Sequence, residues 1–129
     1  MKPTPEQEKI VQEEQIAVMS TVRRDGSAQL APINYAYVDG RFLISTTKDR
    51  ARYHNLRRNP SVTLCIVQAG GRPYVTVSGQ AEIKEKDIAD GTAHIFRRMS
   101  DRSLPDDFAD VLQKQRRVLI IVTPERFIP

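Results

Sequence analysis

Two Asp-Gly pairs, Asp25-Gly26 and Asp39-Gly40, each stand between apolar runs. Asp-Gly is a strong hairpin signal, because both residues tolerate the positive φ angles that a two-residue hairpin turn demands. Strands are therefore predicted over Ile16–Val22, over residues 28–38 and over Arg41–Thr47. Two tight turns in succession make these three a meander. A helix precedes them, predicted over residues 5–15. Thr4 is its cap, Pro5 suits the first helical position, and Gln7 completes a capping box.

The segment FLISTTKDRARYHNLRRNP, residues 42–60, then changes register. The third strand ends at Thr47 and the chain turns through Lys48 and Asp49. Asp49 is a good N-cap residue, so a helix is predicted from Arg50 to Asn59, where Pro60 disfavours helical angles. Arg50 and Arg52 fall in its first turn, at the positive end of the macrodipole, where cations are mildly unfavourable. Free backbone N–H groups together with two guanidinium groups make an anion site, above all for phosphate.

Residues 61–68, rich in Val, Leu and Ile, read as a central strand buried on both faces, with Cys65 as a core thiol. Ala69-Gly70-Gly71-Arg72 turns the chain into a long strand over residues 73–84. There Gly79 marks a bulge or the close approach of something flat. Residues 86–99 take a helical period, although Gly91 weakens it. Ser103-Leu104-Pro105 breaks the chain, a short helix follows through Phe108, Val111 and Leu112, and a last strand runs over residues 116–123. Six strands, mostly in antiparallel hairpins, with two or three peripheral helices predict a mainly β protein: a closed or nearly closed barrel. A length of 129 residues fits a single domain spanning 1–129. So short a chain has little room for a deep pocket, which places ligand sites between subunits.

Composition narrows the chemistry. Four Phe, four Tyr and no Trp leave a mainly aliphatic core. The net charge of +4 permits an anionic ligand or nucleic acid without selecting either. The few aromatics do not interleave with arginines on one strand face, so a nucleic-acid-binding barrel is a distant alternative. The acidic, polar start MKPTPEQEKIVQEEQ reads as neither signal peptide nor membrane span, and one cysteine fits a reducing cytoplasm. His54 and His94 are isolated, and no Cys-x-x-Cys or His-x-x-x-His pair occurs, so no metal site is expected. No catalytic residue is identified. Chemistry would have to come from a cofactor.

The D-G hairpin of residues 16–26, the run QLAPINYAYVDGRFLISTT, the segment RARYHNLRRNP, the strand YVTVSGQAEI and the terminal RRVLIIVTPERF together resemble the pyridoxamine 5′-phosphate oxidase-like split β-barrel proteins over nearly the whole chain. The nearest branch in pattern is the one that uses the deazaflavin coenzyme F-420, and FMN binders of the same fold have similar segments. The resemblance implies a homodimer with a flavin-type cofactor at the subunit interface and a small-molecule substrate, with no nucleic acid or membrane partner. Arg50 and Arg52 fall where the group binds phosphate, within a motif that also holds Ala51 and Asn55. Ser45, Thr46 and Thr47 fall beside the ribityl chain. Leu30, Ala31, Pro32, Ile33 and Asn34 border the tricyclic ring, with Tyr74 and Gly79 approaching it from the second subunit. Arg stands at position 52 where the family often has Lys, which keeps the charge and adds a fork suited to phosphate. The implied activity is hydride transfer from F-420 to an unsaturated or carbonyl substrate. An FMN enzyme or a non-catalytic flavin store or sensor is the alternative. The proton for such a transfer would come from water or from a hydroxyl such as Tyr35 or Thr47. Arg57-Arg58 reads as a solvated helix face, which a longer anionic tail such as the polyglutamate of F-420 could also use, and Arg116-Arg117 reads as surface charge.

Overall fold

The computed structural model describes residues 2–128. Helix α1 (Pro5–Glu13) begins in the expected capping box: Gln7 N donates to Thr4 Oγ1 at 3.1 Å and Thr4 N to Gln7 Oε1 at 2.9 Å. It stops two residues short of the expected end because Glu14 is already extended. The carbonyls left open at that end are met from a distance. Arg98 Nη2 donates to Gln12 O at 3.1 Å and Glu14 O at 2.5 Å.

The other elements in chain order are β1 (Ile16–Val22), β2 (Ala28–Asn34), β3 (Ala36–Val38), β4 (Arg41–Thr47), α2 (Ala51–Arg58), β5 (Ser61–Val67), β6 (Tyr74–Lys84), α3 (Ala89–Met99), α4 (Phe108–Lys114) and β7 (Arg117–Ile128). All strand pairs are antiparallel, in the order β2-β1-β5-β6-β7-β4-β3. Both Asp-Gly hairpins form, but the three-stranded meander does not. The run 28–38 breaks at Tyr35 into β2 and β3, which lie at opposite edges of the sheet. The cause is visible at the break. Tyr35 is fully buried, its amide donates to Gln15 O at 3.0 Å, and its phenol donates to Val11 O at 2.6 Å. These bonds draw one residue out of the ladder and pin it to the end of α1. Since a single residue joins the two edge strands, the sheet must curl until its edges nearly meet. The result is a mostly β half-barrel, split between β2 and the β4–β3 hairpin, with four α-helices among the described residues.

The barrel interior is aliphatic as expected, built from Met19, Ile44, Leu64, Ile66, Val75, Val77, Ile120 and Val122 around Phe42, with Ile10 and Val11 added by α1 and Leu56 by α2. Tyr35 and Tyr37 both pack on Phe42, at ring distances of 5.4 and 4.9 Å. On the opposite face of β3, β4 and β7 a second cluster joins Leu43 and Leu119 to Ile88, Ile95 and Leu112 of the α3–α4 layer. Gly91 lets α3 lie close to β7, since a Cβ there would come within 2.5 Å of Leu119 Cδ2.

Two expectations about strands need correction. β5 is not buried on both faces: Val62, Leu64 and Ile66 point inward, while Thr63 and Cys65 are only half-buried on the other face. Cys65 is therefore not a core thiol. The last strand runs on to Ile128 rather than ending at residue 123. Pro124 looks like a stop signal, but it pairs with Gly79 where the β6–β7 register shifts. A bulge is the place in a ladder that tolerates a missing N–H. Gly79 thus marks the bulge as expected, lying opposite the extra residue Glu125 of β7, and its close neighbour is backbone. A Cβ there would overlap the Thr123 carbonyl oxygen and lie 3.0 Å from its carbon. Gly79→Ala should cost about 1–3 kcal/mol or more, the usual range for overpacking against groups that cannot move aside. Urea denaturation of the folded variant checks this.

Candidate functional site

The strand–turn–helix of residues 45–52 forms, one step away from the expected geometry, and gathers cations at the start of α2. Asp49 does not cap α2. Its carboxylate accepts the Thr47 Oγ1 hydrogen bond instead, and this bond, first, holds its carboxyl below the usual range. Arg50 becomes the N-cap, with no side-chain hydrogen bond to the helix. Its own amide donates to Thr47 O at 3.1 Å, which closes the turn tightly. The first-turn amides of α2 therefore meet no capping carboxylate, and the positive end of the dipole stays uncompensated.

Three guanidinium groups share this place. Arg50 is exposed and Arg52 is half-buried. Arg117 opens β7 directly opposite Thr47. Its Nη1 donates to Ser45 Oγ at 3.1 Å, its Nε to Gln115 Oε1 at 2.6 Å, and it lies 5.5 Å over the Phe96 ring. Burial lowers the pKa of Arg52, and the charges of Arg50 and Arg117 lower it further. Arg117 is lowered by burial and then by Arg50. Among the described residues, the ion pairs are Lys9–Glu13 and Lys48–Glu85, and none involves these three arginines. The Nε of Arg52 is buried without a partner, as is the Oγ1 of Thr46 on the inner face of β4. Mutual repulsion, desolvation and an orphaned donor all disfavour the cluster unless an anion joins it.

Ser45, Thr47, Arg50 and Arg52 are thus brought together as the sequence suggests. Arg117 was missed, because its role depends on the β4–β7 pairing, which no local pattern reveals. Ala51 is exposed at the first helical position. Asn55 is buried and occupied: it donates to Thr21 Oγ1 and Gln29 Oε1, each at 3.1 Å, and accepts from Arg58 Nη2 at 2.7 Å. Its amide straps α2 to β1 and β2. Tyr35 cannot supply the proton considered above. Its phenol is buried, its hydrogen is given to Val11 O, and burial raises its pKa. His54 and His94 are exposed, and no described group of His, Cys, Asp or Glu has the make-up of a metal site.

The other candidates lie on the outer face of the sheet. Pro32, Val18, Cys65, Thr76 and Ile128 are directly paired neighbours in one row across β2, β1, β5, β6 and β7. The rows beside it carry Leu30 opposite Ser20, Asn34 opposite Ile16, and Val67 opposite Tyr74. Ile16, Val18, Leu30, Val67, Tyr74 and Ile128 are all exposed, Leu30 at 64%. Large apolar residues thus gather on this face, interrupted by Ser20, Asn34 and Thr76, and exposed patches of this kind are a feature of interaction surfaces in general. Ala31 and Ile33 alternate to the inner face, and Ile33 joins the core. Tyr74 and the Lys48–Glu85 ion pair lie at opposite ends of β6, so one chain does not bring Tyr74 to its own arginine cluster.

The sequence matches the pyridoxamine 5′-phosphate oxidase family over residues 3–128. This chain belongs to that family. Among solved structures of the fold, it is similar to an F-420 reductase at 26% identity, over 98% of each chain, with a TM-score of 0.80. It is also similar to a conserved hypothetical protein of Mycobacterium tuberculosis at 22% identity, over 98% of this chain and 83% of the other, with a TM-score of 0.83. A heme storage protein of Vibrio cholerae shares the fold at 18% identity, over 99% and 94% of the chains, with a TM-score of 0.73. No described helix is long and apolar enough to cross a membrane.

Tyr35→Phe separates a structural phenol from a catalytic one. It should lower stability by about 1 kcal/mol, the net worth of one hydrogen bond. Turnover of the folded variant should stay within about twofold, whereas loss of a general acid costs roughly 10²–10⁴-fold. Parallel denaturation and rate measurements give the answer.

Proposed function

We propose that the protein is a homodimeric oxidoreductase that binds the deazaflavin coenzyme F-420 at its subunit interface, with Arg50, Arg52 and Arg117 holding the cofactor phosphate. The observation that carries this reading is the cluster of three guanidinium groups, none in an ion pair among the described residues, with an orphaned Arg52 Nε. A phosphate supplies the missing charge and acceptors, and the residues present therefore fit the group. Ser45 and Thr47 lie beside the cluster on the same strand face, suited to the hydroxylated chain next to a phosphate. When bound, the reduced deazaflavin supplies a hydride for an unsaturated or carbonyl substrate.

The chain's own contribution is to anchor, orient and shield. Arg117 is steadied by Ser45, Gln115 and Phe96, so it meets an anion already aimed. The apolar row centred on Val18 and Cys65 is the proposed face for the second subunit. It would bring the partner's sheet, with its own Tyr74, toward the split beside β2. An obligate interface of about 2,000 Å² or more would bury this face.

Replacing Arg50 and Arg52 with Ala should lower cofactor affinity by about a hundredfold, the size of two lost charge-assisted bonds. Thermal stability without cofactor should be unchanged or slightly raised, because like charges have been removed. Titration with F-420 and FMN in parallel measures the loss and shows which cofactor belongs here. Unaltered affinity in the double variant overturns the assignment. Val18→Asp places a charge at the centre of the apolar row. Light scattering should then report a monomer at micromolar concentration, with cofactor binding lost. A monomeric variant that still binds cofactor normally would place the site within one chain.

A further inference from the structure

We propose that Asp49 is a specificity-determining residue that fixes the Thr47 hydroxyl as an acceptor, so that the place beside the arginines takes a ligand hydroxyl and refuses a second anionic group. This inference rests on the phosphate reading above and concerns the polarity of the same site. Asp49 has the chemistry of a helix cap, yet α2 receives no side-chain cap bond and the Asp49 carboxylate takes the Thr47 hydroxyl instead. A residue that forgoes its locally favoured bond beside a binding site is a pointer to function.

Which group donates in each pair is fixed by chemistry. An ionised carboxylate only accepts, and the Thr47 bond holds the Asp49 carboxyl below its usual range, so it is ionised at neutral pH. Thr47 must therefore give up its one hydroxyl hydrogen, and its oxygen has only lone pairs left to offer. Ser45 is in the reverse position. A guanidinium only donates, so Ser45 Oγ accepts from Arg117 Nη1 at 3.1 Å and keeps its own hydrogen to give. Ser45 and Thr47 alternate onto the same face of β4, and Arg117 is paired directly opposite Thr47. Along that face the strand presents a donor and then an acceptor.

The two oxygens suit different groups. A phosphate oxygen accepts, so it fits the Ser45 hydroxyl and the guanidinium groups. At Thr47 the same oxygen would meet lone pairs with the Asp49 carboxylate behind them. A hydroxyl can donate there, and so it fits. The Asp49 carboxylate feels the charges of Arg50 and Arg116, whereas Arg52 feels those of Arg50 and Arg117. Asp49 thus sets the polarity of Thr47 while leaving the orphaned Arg52 Nε for the anion. The ligand class that matches this pattern is a phosphate ester with a hydroxyl on its carbon chain close to the phosphate. A plain alkyl phosphate or a diphosphate leaves Thr47 without a donor.

The test is an NMR titration of the whole protein with glycerol 3-phosphate and with propyl phosphate, which carry the same charge and differ in their hydroxyls. The amide signals of Ala51 and Arg52, at the uncapped start of α2, report binding. The wild type should prefer glycerol 3-phosphate about three- to tenfold, the range of one net hydrogen bond. Thr47→Val should bring the ratio of affinities close to one, and Thr47→Ser should keep it. In Asp49→Ala, an exposed position where folding is preserved, the Thr47 hydroxyl is released to donate. Propyl phosphate should then gain, and the ratio should fall toward one. Loss of the Asp49 charge strengthens both ligands alike, so neither that charge nor a purely structural role moves the ratio. No preference in the wild type, or an unchanged ratio in Asp49→Ala or Thr47→Val, overturns this role of Asp49 and leaves the phosphate assignment standing. Absence of any shift at Ala51 and Arg52 with either ligand overturns both.

Discussion

The architecture turns on the burial of Tyr35. One phenol bonded to Val11 O and one amide bonded to Gln15 O take a single residue out of what would otherwise be an eleven-residue strand. The two pieces cannot then occupy neighbouring places in the sheet. β2 pairs with β1 at one edge and β3 with β4 at the other, and Tyr35 joins the two edges through the chain. Curvature follows from chain connectivity, whereas a closed barrel would require hydrogen bonds across the seam. Arg98 reinforces the same point, with its guanidinium 5.6 Å over the Tyr35 ring and two donors on the end of α1.

The split leaves two faces with opposite problems. Over β3, β4 and β7 the outer side of the sheet is covered by α3 and α4, and the chain satisfies itself. Over β2, β1, β5 and β6 it is bare, and large apolar residues face solvent. Hydrophobic burial scales with area removed from water, so a second sheet offers that surface the largest gain. The arginine cluster has a deficit of a different kind. It holds desolvated positive charge whose natural complement is a phosphate. An unpaired apolar face and a cationic corner are the two features from which the dimeric, anion-binding function is proposed.

Much of this was legible in the residues. The hairpins at Asp25-Gly26 and Asp39-Gly40, the capping box at Thr4 and Gln7, the aliphatic core and the bulge at Gly79 all follow from local rules. So does the convergence of Arg50 and Arg52, since one turn of chain joins them. What failed depended on competition between partners. Asp49 has the chemistry of a cap, but Thr47 sits two residues away and takes its carboxylate. Cys65 lies in an apolar run, but strand alternation turns it outward, and whether an outward face is covered is decided by other elements.

The sequence by itself determined the mainly β class and the strand–turn–helix that presents two arginines, because each rests on contacts within a few residues. Only the tertiary structure decided where the long strand breaks, that Arg117 joins the cluster from a position 65 residues beyond Arg52, and that the outward residues of β2, β1, β5, β6 and β7 align into one apolar row. The physical reason is register. Which strands pair, and which residues then share a face, is set by global packing, and a shift of one residue exchanges the buried and exposed faces.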